Sequence, residues 1–73
     1  MMMKLTRKQK MTLEAIEYFI NENGYSPTYK EIADLLNMKS ESGVHRIVII
    51  LEEKGYVKTA NGKARTIRVL RGV

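Results

Sequence analysis

Apolar positions in this chain recur at helical spacing through three stretches and then alternate. Leu13, Ile16 and Ile20, joined by Phe19, predict the core side of a first helix. Thr6 and Gln9 have capping-box spacing at its start, and Asn23-Gly24 ends it. Pro27-Thr28-Tyr29-Lys30-Glu31 opens a second helix, with Thr28 as N-cap and Glu31 as its capping-box partner. Ile32, Ala33, Leu35 and Leu36 supply its apolar side, and Asn37 takes the left-handed position that ends it. Ser40 caps a third helix that runs to Lys54 and stops at Gly55. Within it Val44, Ile47, Val48 and Leu51 fall at i, i+3, i+4 and i+7, which makes them the buried stripe. After Gly55 the period becomes two. Residues 56–59 predict a short strand, Asn61-Gly62 is a strong two-residue hairpin signal, and residues 65–70 predict the return strand, with Ile67 and Val69 on one face.

This order predicts a mainly α fold with a small β-hairpin: a winged helix-turn-helix, three helices followed by a two-stranded wing. Residues 1–73 form a single domain, with an ordered unit of about 5–70. Two helices joined by about 3 or 4 residues can place the second in the DNA major groove. The outer side of that helix carries Ser42, His45, Arg46 and Ile49, small and polar near its N-terminus, where such a helix meets base edges. Gly43 has two readings. Bulk there collides with DNA, or the first helical turn simply tolerates glycine.

Charge sharpens the picture. The net charge is +5, and all eight acids lie between Glu14 and Glu53. Lys4, Arg7, Lys8 and Lys10 precede them; Lys58, Lys63, Arg65, Arg68 and Arg71 follow. Basic ends around an acidic middle suit a polyanion, although a solubilising excess has the same composition. Arg7, Lys8 and Lys10 occupy first turns, where the helix dipole disfavours cations. Phosphate contact explains that placement, as does a frayed, exposed end. There is no cysteine, hence no disulfide and no thiolate metal site. No signal-peptide pattern and no membrane-length apolar run occur, so a cytoplasmic protein without a membrane partner is expected. A single histidine, no cysteine and no Gly-rich phosphate loop leave no constellation for catalysis, metal or cofactor, so no enzyme is expected.

Leu5-Thr6 with Gln9, the run Gly24-Tyr25-Ser26-Pro27-Thr28, and Glu31-Ile32-Ala33 form one half of a familiar pattern. Ser40-x-Ser42-x-Val44-His45, Leu51-x-x-Lys54-Gly55 and Ile67-Arg68-Val69-Leu70 form the other. In joint order and spacing the chain resembles the N-terminal DNA-binding domain of the LexA family of bacterial SOS-response repressors. The resemblance implies sequence-specific binding of a palindromic operator in double-stranded DNA as a homodimer. It places the base-reading positions on Ser40, Ser42, Gly43, His45 and Arg46. The family's C-terminal dimerisation and self-cleavage domain is absent from these residues, so either an excised module or a stand-alone domain from a phage or mobile element is expected. Asn37 stands where relatives have a turn glycine. Ile49 stands where they tend to be polar or basic.

Residue chemistry gives these positions roles. Arg46 is a fork donor for guanine O6 and N7, or for a phosphate. Ser42 can donate to or accept from a base edge. Ser40 as N-cap turns backbone N–H groups toward a phosphate. A protonated His45 adds a cation and makes binding pH-dependent. Arg7, Thr28, Tyr29, Lys39, Lys63 and Arg65 are the expected phosphate contacts. Tyr29 has the alternative of laying its ring over Leu36, while Met38 plugs the core. Ile49 is either covered by the wing or meets a second protein. The latter motivates an alternative function: an adaptor that binds a host regulator or polymerase through the winged-helix scaffold.

Overall fold

A computed structural model describes residues 4–60 and 63–72. The element order is α1 (Arg7–Asn23), α2 (Tyr29–Leu35), α3 (Glu41–Glu53), β1 (Val57–Lys58) and β2 (Arg68–Val69). The helices start where their side chains can satisfy free backbone donors. Thr6 Oγ1 accepts from the Gln9 N–H at 3.2 Å while Gln9 Oε1 accepts from the Thr6 N–H at 3.0 Å. Thr28 and Glu31 make the same reciprocal pair at 3.1 and 2.8 Å. Ser40 Oγ accepts from the Ser42 N–H at 3.2 Å. Each bond answers one of the N–H groups a helix leaves unpaired in its first turn.

The helix ends are equally local. Gly24 closes α1 at φ 79°, its N–H reaching Ile20 O. Asn37 takes φ 57° after α2, and the Met38 N–H then returns to Ala33 O at 2.8 Å. This compact turn between α2 and α3 makes the helix-turn-helix.

The core is a single cluster drawn from every element or its flanks: Leu13 and Ile16, Ile32 and Ala33, Val44, Val48 and Leu51, then Tyr56, Val57 and Ile67. Ile20, Leu36, Met38 and Ile47 are half-buried against it. Leu35 departs from its expected place on the apolar side of α2. It is 45% exposed, because it lies about 110° around the helix from the middle of the buried Ile32–Ala33 edge. Among the described residues, no helix is long and apolar enough to cross a membrane.

The hairpin is where pattern and structure part. β1 and β2 pair antiparallel, Val57 opposite Val69 and Lys58 opposite Arg68. A two-residue turn at 61–62 would set Lys58 opposite Arg65, so the observed pairing is displaced by three residues. Asn61 and Gly62 themselves lie outside the described residues; the Lys63 N–H donates to Ala60 O at 3.2 Å across them. The strands are short because side chains capture the neighbouring backbone donors. Glu52 accepts from the Thr59 N–H at 3.1 Å, Thr66 Oγ1 from the Ala60 N–H at 3.1 Å, and Ser26 Oγ from the Ile67 N–H at 3.0 Å. Arg65, expected to begin the return strand, is instead a turn residue at φ 57°.

Candidate nucleic-acid interface

The surface opposite the core stripe of α3 is open. Val44, Val48 and Leu51 are buried, whereas Ser42, His45, Arg46 and Ile49 are exposed on the other side. Periodicity near 3.6 residues per turn forces this division once one stripe is committed to the core. Ser40 and Ser42 sit together at the N-terminal end, their hydroxyls 2.6 Å apart. Arg46 has no hydrogen-bond or ion-pair partner among the described residues, so its guanidinium fork stays available. The five positions expected to read bases therefore lie at the N-cap and in the first half of one helix, four of them exposed.

Gly43 is the fifth, and it is half-buried. A Cβ built on it would meet Met38 Cε at 3.0 Å. Its missing side chain thus leaves room for the methionine that packs from the turn, a reason distinct from clearance for DNA.

The second helix contributes a flank. The Tyr29 ring lies against His45, centroids 5.0 Å apart and planes tilted by 42°. The ring's aromatic neighbour is thus His45, and the side chain also packs against the core cluster. Burial pushes the Tyr29 phenol above its ordinary pKa, and the Glu52 carboxylate adds to the effect. The phenol therefore stays a neutral O–H donor at physiological pH. Thr28 is half-buried, with its hydroxyl oxygen engaged as the N-cap acceptor. Arg7, Lys39 and Lys63 are exposed.

Arg65, expected at a phosphate, is engaged within the fold. Its guanidinium is bound to Glu31 through two bonds of 2.9 and 3.1 Å, donates to Ser26 O at 3.2 Å, and stands 4.9 Å over the Tyr25 ring. A fork-on-fork pair of this kind is geometrically demanding and holds the guanidinium in one place. The Thr28 backbone N–H, then the Arg65 guanidinium, hold the Glu31 carboxyl below the usual carboxylate range. Arg65 fastens the wing to the start of α2; of the wing cations expected at phosphates, Lys63 remains uncommitted among the described residues.

Between α3, Tyr29 and wing residues 63–67 runs a groove of about 570 Å³. Glu41, His45, Ile49 and Glu52 form its helical wall. Ile49 is 42% exposed there, partly covered along a groove it shares with the wing. Two tertiary anchors leave no mark in the local sequence pattern. Glu52 ties Thr59 to α3 through both its backbone N–H and its hydroxyl. Lys54 Nζ donates to Lys4 O and Gln9 Oε1, each at 2.7 Å. Lys54 sits at a conspicuous helix end, but nothing in its local sequence reveals a partner 45 residues away.

A family model described as the LexA DNA binding domain matches residues 2–66. The LexA repressor of Pelagibacter ubique (strain HTCC1062) is 43% identical over 67 residues, covering 92% of this chain and 30% of that protein. The LexA repressors of Gluconobacter oxydans (strain 621H) and Rhodospirillum rubrum are 42% and 43% identical over the same length, covering 28% and 27% of those proteins. The chain thus spans less than a third of the length of these relatives. With its three capped helices, its paired wing and a match over most of its length, this chain belongs to the LexA DNA-binding-domain family.

Proposed function

We propose that this chain is the sequence-specific, duplex-DNA-binding module of a LexA-like transcriptional repressor. It reads each half of a palindromic operator by inserting α3 into the major groove, N-terminal half first. The observation that carries this reading is the outward face of α3. Hydroxyls, an imidazole and an uncommitted guanidinium are presented together on a helix anchored from behind by buried aliphatics. In the groove Arg46 is suited to guanine O6 and N7, and Ser42 to either a donor or an acceptor edge. Arg7, Lys39, Lys63 and the Tyr29 hydroxyl are the phosphate contacts, with Thr28 beside Tyr29 at the same helix start. These contacts set register but carry no sequence information.

A single module of this kind buries only about 600–1,000 Å² on DNA, so one copy on one half-site binds weakly. Two copies on a palindrome gain from effective concentration. The test is selection of bound duplexes from a random pool. The expected result is an enriched palindrome with half-sites about one helical turn apart, or a multiple of it. Enrichment of no duplex, or of sequences without two-fold symmetry, overturns the reading.

A further inference from the structure

We propose that Ile49 is a specificity-determining residue that reads the 5-methyl group of one thymine in each half-site. The proposal rests on the reading that α3 enters the major groove. Seven residues separate Ser42 from Ile49, which at 3.6 residues per turn is about 20° short of two full turns. Ile49 therefore lies almost directly above Ser42 on the helix, with His45 to one side and Arg46 to the other. Its azimuth is about 45° from the point opposite buried Val44, Val48 and Leu51, on the His45 side that faces the wing groove. Packing accounts for only part of an isoleucine there, since 42% of it is exposed along the groove that α3 shares with the wing. Helix propensity does not explain it, because a β-branched residue is a poor choice on an exposed helical surface.

The chemistry of the major groove supplies the match. Its base edges present hydrogen-bond donors and acceptors, and thymine adds an apolar C5-methyl group. An aliphatic side chain among Ser42, His45 and Arg46 can be desolvated favourably against that methyl and nowhere else on the unmodified base edges. The branched end of Ile49 is also stiff about χ1, so it offers a shaped surface rather than a mobile one.

The experiment is a uracil scan. In the duplex selected by the wild-type protein, each thymine is replaced in turn by deoxyuridine, which removes only the methyl. Affinity is then measured for the wild type and for Ile49→Ala. The expected result is one thymine per half-site at which uracil weakens wild-type binding about three- to fivefold, as loss of one buried methyl implies. The same replacement should change Ile49→Ala binding less than about 1.5-fold, since the methyl has then already lost most of its partner. If uracil effects are the same for both proteins at every position, the proposal is overturned. Unchanged duplex affinity of Ile49→Ala also overturns it and leaves Ile49 free for contact with another protein. If no duplex is selected at all, the DNA-binding reading falls first, and this one with it.

Discussion

Replacing Gly43 with alanine separates two explanations for the glycine at the start of α3. If the position is kept small for DNA, a methyl there should obstruct binding. The structure points the missing Cβ at Met38 Cε, 3.0 Å away, and not outward. Gly43 also has ordinary helical backbone, so alanine brings no dihedral strain. Removing a glycine from a helix interior stabilises by up to about 1 kcal/mol, and by less in the first turn. Against this stands the contact with Met38, which must retreat by a few tenths of an ångström. Methionine has three rotatable bonds and adapts readily, and Met38 is only half-buried. The balance is a gain between 0 and about 1 kcal/mol, visible as a rise of a few degrees in Tm for a domain this small. Thermal unfolding by circular dichroism and affinity for the selected duplex should be measured on the same preparation. We expect Gly43→Ala to be as stable as the wild type or more so, with affinity within about threefold, since less than about 0.7 kcal/mol is then involved. Loss of more than about 1 kcal/mol of stability would show that Met38 cannot move, as in overpacked cores. Normal stability with a collapse of binding would refute the inward assignment.

Other outcomes follow from the same geometry. Arg46→Ala should flatten the base preference at one position of each half-site, whereas Lys63→Ala should weaken all duplexes alike; parallel gel-shift series on matched and scrambled sites distinguish the two. With Arg7, Lys39 and Lys63 as the cations at phosphates, log affinity should fall against log salt with a slope of about −3 per protomer, and Lys63→Ala should reduce that slope by about 1. Glu31 is held below the ordinary carboxylate range by the Thr28 N–H and then by Arg65. Its contribution to stability is therefore complete above the unfolded pKa of about 4.3 and is lost as pH falls through the lower folded value. Glu31→Gln keeps a capping acceptor but loses the ion pair, so it should flatten that acid limb in Tm-versus-pH curves and loosen the wing, read as faster amide exchange at residues 63–67. Leu51→Ala empties a fully buried position and should cost about 2–5 kcal/mol in denaturant titration.

What the amino-acid order determined by itself is the part of this protein governed by near neighbours. Thr6 with Gln9, Thr28 with Glu31, Ser40, Gly24 and Asn37 act within one helical turn, so their capping roles could be read directly and the structure repeats them. The division of α3 into a buried and an open side follows from helical period alone. The tertiary structure decided the rest. Arg65 looked like one more basic wing residue until folding carried it to Glu31, 34 positions away. The hairpin register differs by three residues from that of a two-residue turn, and Ser26 and Glu52, distant in sequence, hold its backbone. Leu35 lost its place in the core because packing against α1 and α3 selected the Ile32–Ala33 edge of α2, which leaves Leu35 turned to the side. Contacts between residues distant in sequence depend on which surfaces pack together. Charge and spacing state what a side chain is able to bind, and only the assembled fold states which partner reaches it first.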